Sequence, residues 1–389
     1  MAARLSPLRV TVAAGLIAGL LLSPKLWVSE RLYPLTPIAP FFKPLPYPFD
    51  YAAYILLLAL LAASAVAPRP RWWIAAALLL LATLCAQDQS RLQPWCYQYA
   101  FMLGGACFSL PGKDNWPNTC RLIIAATYFW SGAQKLNPYF AAGTFTYLAQ
   151  PLASHFPALI EKAGYAAPYI ELACGSGLLT RRFRTAAVAA LIAMHVCILL
   201  AIGPFGHNSN TLVWPWNIAM IVFLLVLFRS PEARAREILW GPSWFHRIVF
   251  ALFALAPALS FFNLWDGYLS AALYAGNKNQ AAIYMTESVA EHLPDAAYND
   301  ASDEPDGRDK LLINDWSFDE LNAPAYPEIR IYKNAARKLC EFAAKPSDVK
   351  LEVKGKWVLG NGVGQIAFTC SELDLSAPSS HSLKPILRD

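Results

Sequence analysis

Charge is what this 389-residue chain has least of. Asp, Glu, Lys and Arg make up 15% of it, against about 25% in an ordinary soluble domain. A chain built only of water-soluble domains is thereby excluded. Signature motifs are missing too. There is no GxGxxG, no P-loop, no HExxH and no GxSxG, so nucleotide use, zinc hydrolysis and serine hydrolysis find no support. The eight cysteines never adopt CxxC spacing, which removes a thioredoxin-type pair, and no metal site is expected.

Apolar residues fill the place of charge. They make up 56% of the chain, which also holds 13 Trp and 29 Pro, as suits a polytopic membrane protein with interfacial aromatics and interrupted helices. Nine apolar segments stand out, near 9–23, 50–67, 72–86, 95–110, 119–136, 166–180, 185–203, 212–228 and 247–263. Several are shorter than the roughly 20 residues that cross a bilayer unaided. The first reads as a retained span and not a cleaved signal, because no small-x-small cleavage site follows it. Basic residues fall on alternate connections: Arg4 and Arg9, Arg69 and Arg71, Lys113 and Arg121, Arg181, Arg182 and Arg184, then Arg229, Arg234 and Arg236. With nine spans, all five groups share one side, which predicts a cytoplasmic N-terminus and an extracytoplasmic C-terminus in a cell (inner) membrane. Residues 24–49 and 137–166, broken by prolines such as Pro138, Pro151 and Pro157, read as re-entrant or interfacial connections.

Residues 1–263 carry a formal charge of +11, and residues 264–389 carry −6. The basic charges lie in short loops between apolar runs, so they reflect topology, and nucleic acid is not an expected partner. Residues 264–389 read as a small α+β domain: an extended stretch near 264–277, a strand-to-helix segment or single amphipathic helix over PEIRIYKNAARKLCEFAAK, a hairpin about Gly355 in VKLEVKGKWVLG, and a strand at GQIAFTC. Cys340 and Cys370, its only cysteines, face an oxidising space in this topology and are expected to pair, closing a loop worth a few kcal/mol. The expected architecture is thus an all-α polytopic membrane bundle of about nine transmembrane helices over 1–263. A small extracytoplasmic α+β domain over 264–389 offers a surface for a protein partner.

An ionisable group inside a span costs a few kcal/mol and is a functional candidate by default. Asp50, Asp88, Lys135, Glu171, His195 and His207 all fall at mid-depth or toward the outer side of the expected topology. That asymmetry points to one polar cavity opening outward. Lys135 shares a helix face with Thr127, Tyr128 and Ser131 at helical spacing, a polar row that a lipid-facing surface does not carry. The alternative for Lys135 is a snorkelling anchor at a helix end. Glu171 follows Pro168 and Tyr169 with apolar residues beyond and suits a paired role. His195, within LIAMHVCILL, reads equally as a satisfied core histidine and as a catalytic one. His207 lies in a loop, and Trp214 and Trp216 about Pro215 suit an aromatic belt or the wall of a ring-binding pocket. A desolvated lysine beside a carboxylate can take a proton from a weak acid and pass it on.

YFWSGAQKLNPYFAAGTFTYL (128–148) resembles the span-and-lysine motif of the vitamin K-dependent γ-carboxylase and its bacterial relatives, the horizontally transferred transmembrane (HTTM) domain proteins. MHVCILLAIGPF followed by WPWNIAMI, and PYIELACGSGLLTRRFR, are similar to the His-bearing and Glu-bearing stretches of HTTM and DoxX-like proteins. The resemblance implies that Lys135 is the base that deprotonates a reduced quinone of the vitamin K type; from their own positions, Glu171 and His195 are the further catalytic candidates. Tyr128, Ser131, His207, Trp214 and Trp216, read from their own positions, are the candidate substrate-binding residues. Gln134 stands where the animal enzyme has a second lysine, and no propeptide-binding region is recognisable. Three readings remain open: a carboxylase-like membrane enzyme, a DoxX-like quinone-linked redox accessory, and a non-catalytic scaffold whose outer domain binds a partner.

Overall fold

The computed structural model describes residues 6–108, 116–150, 156–229, 233–358 and 363–373, with the backbone of 384–385. Arg4, Lys113 and Pro151 lie outside the described residues. The apolar runs fold as helices: α1 Pro7–Leu22, α2 Phe49–Val66, α3 Arg71–Gln87, α4 Pro94–Phe108, α5 Trp116–Gln134, α6 Pro157–Leu179, α7 Arg184–Ile202 and α8 Trp214–Phe228. The ninth, α9, is the continuous stretch Trp244–Phe262. Pro7, Pro94 and Pro157 open their helices, where the missing N–H has no intrahelical partner to lose. In α9 a π turn, Phe250–Leu255, gives way to a 3₁₀ turn, Ala256–Phe262, at Pro257.

The expected nine spans need correction. Among the described residues, four stretches are long and apolar enough to cross a membrane: α2, α7, the run Thr211–Phe228 that includes α8, and α9. Helices α1, α3 and α4 have 16, 17 and 15 residues; at about 1.5 Å per residue they fall short of a hydrocarbon core of about 30 Å. Helices α5 and α6 have the length, 19 and 23 residues, but not the apolarity. Asn118, Thr119, Arg121 and Gln134 interrupt α5, and Glu161, Lys162 and Glu171 interrupt α6.

The chain divides into two compact units. The first takes residues 1–22, 53–83 and 93–277. Its helix ends meet in antiparallel pairs. Arg9 Nε at the start of α1 donates to Ala65 O at the end of α2 (3.2 Å), while Tyr54 OH near the start of α2 donates to Leu20 O (3.0 Å). Arg121 Nε donates to Leu227 O (2.6 Å) and Arg184 Nη2 to Ala233 O (2.7 Å). Arg9 and Arg121 thus bond carbonyls in the last turn of neighbouring helices, and Arg184 bonds the carbonyl of Ala233 in the connection after α8. Residues 264–277, expected to be extended, form turns including a 3₁₀ turn at Tyr268–Ser270.

The second unit takes residues 23–52, 84–92 and 278–389. Its antiparallel sheet has the order β2-β3-β1-β4-β5-β6, formed by β1 Gln280–Met285, β2 Ser302–Asp303, β3 Asp309–Leu312, β4 Val349–Lys354, β5 Gly364–Thr369 and β6 Lys384–Pro385. β4 pairs with β5, Val353 facing Ile366, and Gly355 N bonds Gly364 O, so the turn after Gly355 leads to GQIAFT and not back within VKLEVKGKWVLG. Val349, Leu351 and Val353 point to the core by alternation. They meet the apolar stripe of α11, Ile329–Cys340, formed by Ile331, Tyr332, Ala335 and Leu339. Helix α10 is Ile313–Leu321.

The proline-rich N-terminal segment belongs to this unit. Glu320 on α10 accepts from the backbone N–H groups of Leu32 (2.6 Å) and Tyr33 (2.8 Å) and from Trp316 Nε1 (2.9 Å). Asn334 on α11 donates to Leu35 O (3.1 Å) and Thr36 Oγ1 (2.9 Å). Proline leaves such a segment without ladder partners of its own, and α10 and α11 supply them. Cys340 and Cys370 are joined by a disulfide.

Candidate functional site

The site begins with a close crossing of α5 and α6. A Cβ on Gly132 would lie 2.5 Å from Leu172 N and 2.7 Å from Pro168 O, and one on Gly175 would lie 2.5 Å from Phe129 N. Bare glycines on both helices let the backbones touch. Lys135 lies one turn beyond Gly132, and Glu171 one turn before Gly175. The crossing therefore brings the two side chains together. Lys135 Nζ pairs with Glu171 Oε2, the side chains being only 13% and 7% exposed. The same ammonium donates to Ser131 Oγ at 3.0 Å and stands 5.7 Å from the centre of the Phe140 ring. A buried pair of opposite charges with a third polar partner is not a solvent-facing anchor.

Ser131 also lines a cavity of about 70 Å³, smaller than a typical small-molecule site. Six aromatic side chains wall it: Tyr97, Trp130, Trp216, Phe253, Tyr268 and Tyr274. Thr127, Ser131, Ser270 and Gln98 add neutral polar groups, and among the described residues none of the lining side chains carries a formal charge. Trp216 Nε1 donates to Gln98 Oε1 (3.3 Å), and Trp130 Nε1 to Ala254 O (3.2 Å). Tyr97 stacks on Phe253 with ring centres 4.7 Å apart, and its hydroxyl is a buried atom with no hydrogen-bond partner among the described residues. The π and 3₁₀ turns of α9 contribute Phe253 and Pro257 to the wall.

Beside this lies a closed chain of hydrogen bonds. Asn217 Nδ2 donates to Val213 O (2.8 Å), so its Oδ1 is the atom facing His195 Nδ1 at 2.7 Å. Nδ1 therefore carries the hydrogen, and Nε2 accepts from Tyr128 OH at 2.6 Å. All three side chains are buried, and every ring nitrogen and hydroxyl is used. His195 is thus the neutral centre of a structural brace joining α5, α7 and α8.

The remaining expected binders go elsewhere. His207 Nε2 bonds Tyr147 O (2.8 Å) and its ring stacks on Tyr147 at 4.4 Å, while Trp214 Nε1 donates to Ser209 O (3.1 Å); neither lines the cavity. Tyr128 braces His195 and is not a lining residue. Asp50 and Asp88 are consumed in the second unit. Asp50 Oδ2 accepts from Ser29 N (2.6 Å) and Oγ (2.8 Å), and Asp88 pairs with buried Arg31. Sequence reasoning missed Asn217, whose one signal was an amide inside an apolar span. It also missed Gly132 and Gly175, each visible as a small residue one turn from a charge.

Comparison of the chain with protein-family models, with curated proteins and with solved structures returns no match. The functional reading therefore rests on the geometry of these residues.

Proposed function

We propose that the first unit is an integral membrane protein that holds a neutral planar ring of the quinol type in the aromatic cavity. The ring's hydroxyl proton passes by way of Ser131 to the Lys135–Glu171 pair. The observation that carries this is the double place of Ser131, in the cavity wall and 3.0 Å from Lys135 Nζ. Flat apolar walls suit a ring, neutral edge groups suit its oxygens, and the absence of formal charge among the lining side chains suits an uncharged ligand.

The paired state decides how the base works. An ammonium bonded to a carboxylate cannot itself accept a proton. When the ring's O–H gives its proton to Ser131 Oγ, Ser131 gives its own to Lys135, and Lys135 gives one to Glu171. The net change is a ring oxyanion facing Lys135 as ammonium, with Glu171 as neutral acid. The pair goes from neutral to singly positive as the ring becomes singly negative, so charge is balanced within a few ångströms. The resemblance to carboxylase-like proteins and the redox-accessory alternative share this ring site and differ in what the oxyanion meets next.

Titrating menadione into the detergent-purified chain tests the reading through quenching of tryptophan fluorescence from Trp130 and Trp216. Saturable quenching that is lost in Trp216→Phe and weakened in Ser131→Ala is expected. No saturable quenching in the wild-type chain would sink it. Oxygen uptake on adding the corresponding quinol, lost in Lys135→Ala and raised by bicarbonate, would favour the carboxylase-like form.

The helix ends support an orientation as well. Arg9 shares an end of the bundle with Ala65, close in sequence to Arg69 and Arg71, and Arg121 and Arg184 bond residues near Arg229 and Arg234. That end is assigned to the cytoplasm, which sets Lys135 toward the opposite face and sends residues 278–389 out on the non-cytoplasmic side.

A further inference from the structure

Residues 38–49, IAPFFKPLPYPF, form an exposed apolar surface in the second unit. Ile38, Phe41, Tyr47 and Phe49 are 45%, 76%, 67% and 64% exposed. Water would meet four large apolar side chains within twelve residues, and Lys43 is the one charged residue among them. Two neighbouring acids are already engaged: Asp50 accepts from Ser29, and Glu30 accepts from Tyr51 OH (3.0 Å).

The backbone is fitted to a place where water is scarce. Pro40, Pro44, Pro46 and Pro48 have no N–H to satisfy. The N–H groups of Ile38, Phe42, Lys43 and Phe49 donate to the carbonyls of Ala86, Ala39, Phe41 and Pro46 at 2.9–3.1 Å. The N–H groups of Ala39, Phe41, Leu45 and Tyr47 are left to water and headgroups, which the interfacial layer supplies and the acyl core does not. Chain continuity says which apolar phase it meets, because Phe49 is the first residue of α2, one of the four helices long and apolar enough to cross. The segment must therefore lie where α2 enters the bilayer.

We propose that residues 38–49 are seated in the interfacial layer of the bilayer at the entry of α2, with Phe41, Tyr47 and Phe49 among the glycerol and upper acyl groups and Lys43 reaching to the headgroups. Tyr47 favours that depth because its ring is apolar and its hydroxyl polar, Phe41 and Phe49 add apolar area for the upper acyl groups, and a single lysine on a flexible stem can keep its charge in water. A second unit anchored in this way is held at the membrane independently of what the ring site binds.

The test is labelling of the full chain reconstituted in vesicles of phosphatidylcholine and phosphatidylglycerol. One arm uses a phospholipid with a diazirine on the upper acyl chain, the other a water-soluble diazirine, and modified peptides are mapped by mass spectrometry. The exposed turn at 305–307 is the water reference, and Ile55 and Leu56 of α2 are the lipid reference. Lipid label on 38–49 several-fold above the 305–307 turn, with soluble label several-fold below it, is expected. In the double variant Phe41→Ser/Tyr47→Ser the two labels should move in opposite directions on this segment while α2 keeps its lipid label. Soluble label equal to that of the turn would overturn the proposal. So would absence of both labels, which would mean that a second copy or another protein covers the surface.

Discussion

At the scale of single residues, the Lys135–Glu171 pair sets the expectations. Removing one partner of a buried pair strands the other charge, at a cost of about 3 kcal/mol or more. Lys135→Ala and Glu171→Gln should each lower the melting temperature of the detergent-purified chain, and the double variant should recover part of the loss. If the losses simply add, the two groups are not coupled. Tyr97→Phe tests the opposite kind of residue. Its hydroxyl is buried without a partner among the described residues, so its removal should leave stability unchanged or raise it by up to about 1 kcal/mol, while menadione binding weakens. A marked drop in melting temperature would show that the hydroxyl has a partner in the folded chain.

At the scale of elements, the crossing of α5 and α6 is the determinant of the site. The atoms that meet a Cβ at Gly132 or Gly175 are backbone atoms, which cannot swing aside as a side chain can. Gly132→Ala and Gly175→Ala should each cost about 1–3 kcal/mol and lower ring binding as well, because the ion pair opens when the helices separate. Stability lost with binding intact would show that the crossing does not position the site. In the second unit, α10 carries Asp319, whose carboxyl is pushed up to about 6 by partial desolvation and then by the charges of Asp300 and Asp315. An unfolded Asp releases its proton near 3.9. Between about pH 4 and 6 the folded chain therefore holds a proton that the unfolded chain has lost, and stability rises as pH falls through that window. Asp319 is exposed, so salt screens the effect. Thermal melts at pH 5 and 7 in low salt should show this gain in wild type and a smaller one in Asp319→Asn; equal gains would exclude Asp319 as the source.

At the scale of the whole molecule, topology is the testable quantity. Four crossings and nine crossings both send residues 278–389 to the side opposite the basic loops, and they differ only in where the N-terminus lies. The bond from Arg9 to Ala65 favours an N-terminus on the basic side, because it sets α1 antiparallel to α2. A reporter active only outside the cytoplasm should therefore work fused after residue 389 and stay silent fused before residue 1. An active N-terminal fusion would leave only the four long crossings, whereas a silent one means that 16-residue α1 also crosses, with the bilayer thinned around it. The Cys340–Cys370 bond closes a 30-residue separation, and its reduction should destabilise the second unit by about 3 kcal/mol, seen as a lower melting temperature in reductant that Cys340→Ser reproduces.

The sequence alone determined the helices apolar enough to suit a membrane, the placement of nearly every helix, the basic ends, the pairing of Cys340 with Cys370 and the row of Thr127, Ser131 and Lys135. These follow from composition and local periodicity, which depend on neighbours along the chain. It did not determine how many helices are long enough to cross, because a hydropathy run overlooks the Asn, Arg and Glu that make α5 and α6 too polar and the shortness of α1, α3 and α4. Nor could it show that residues 23–52 join the C-terminal sheet unit, since Glu320 and Asn334 reach them across nearly 300 residues of chain. Periodicity placed Lys135 on a polar face and left its partner open. Only the contact of two glycine-bearing helix backbones, a long-range event with no local signature, brought Glu171 against it and left Ser131 between the charge and the cavity.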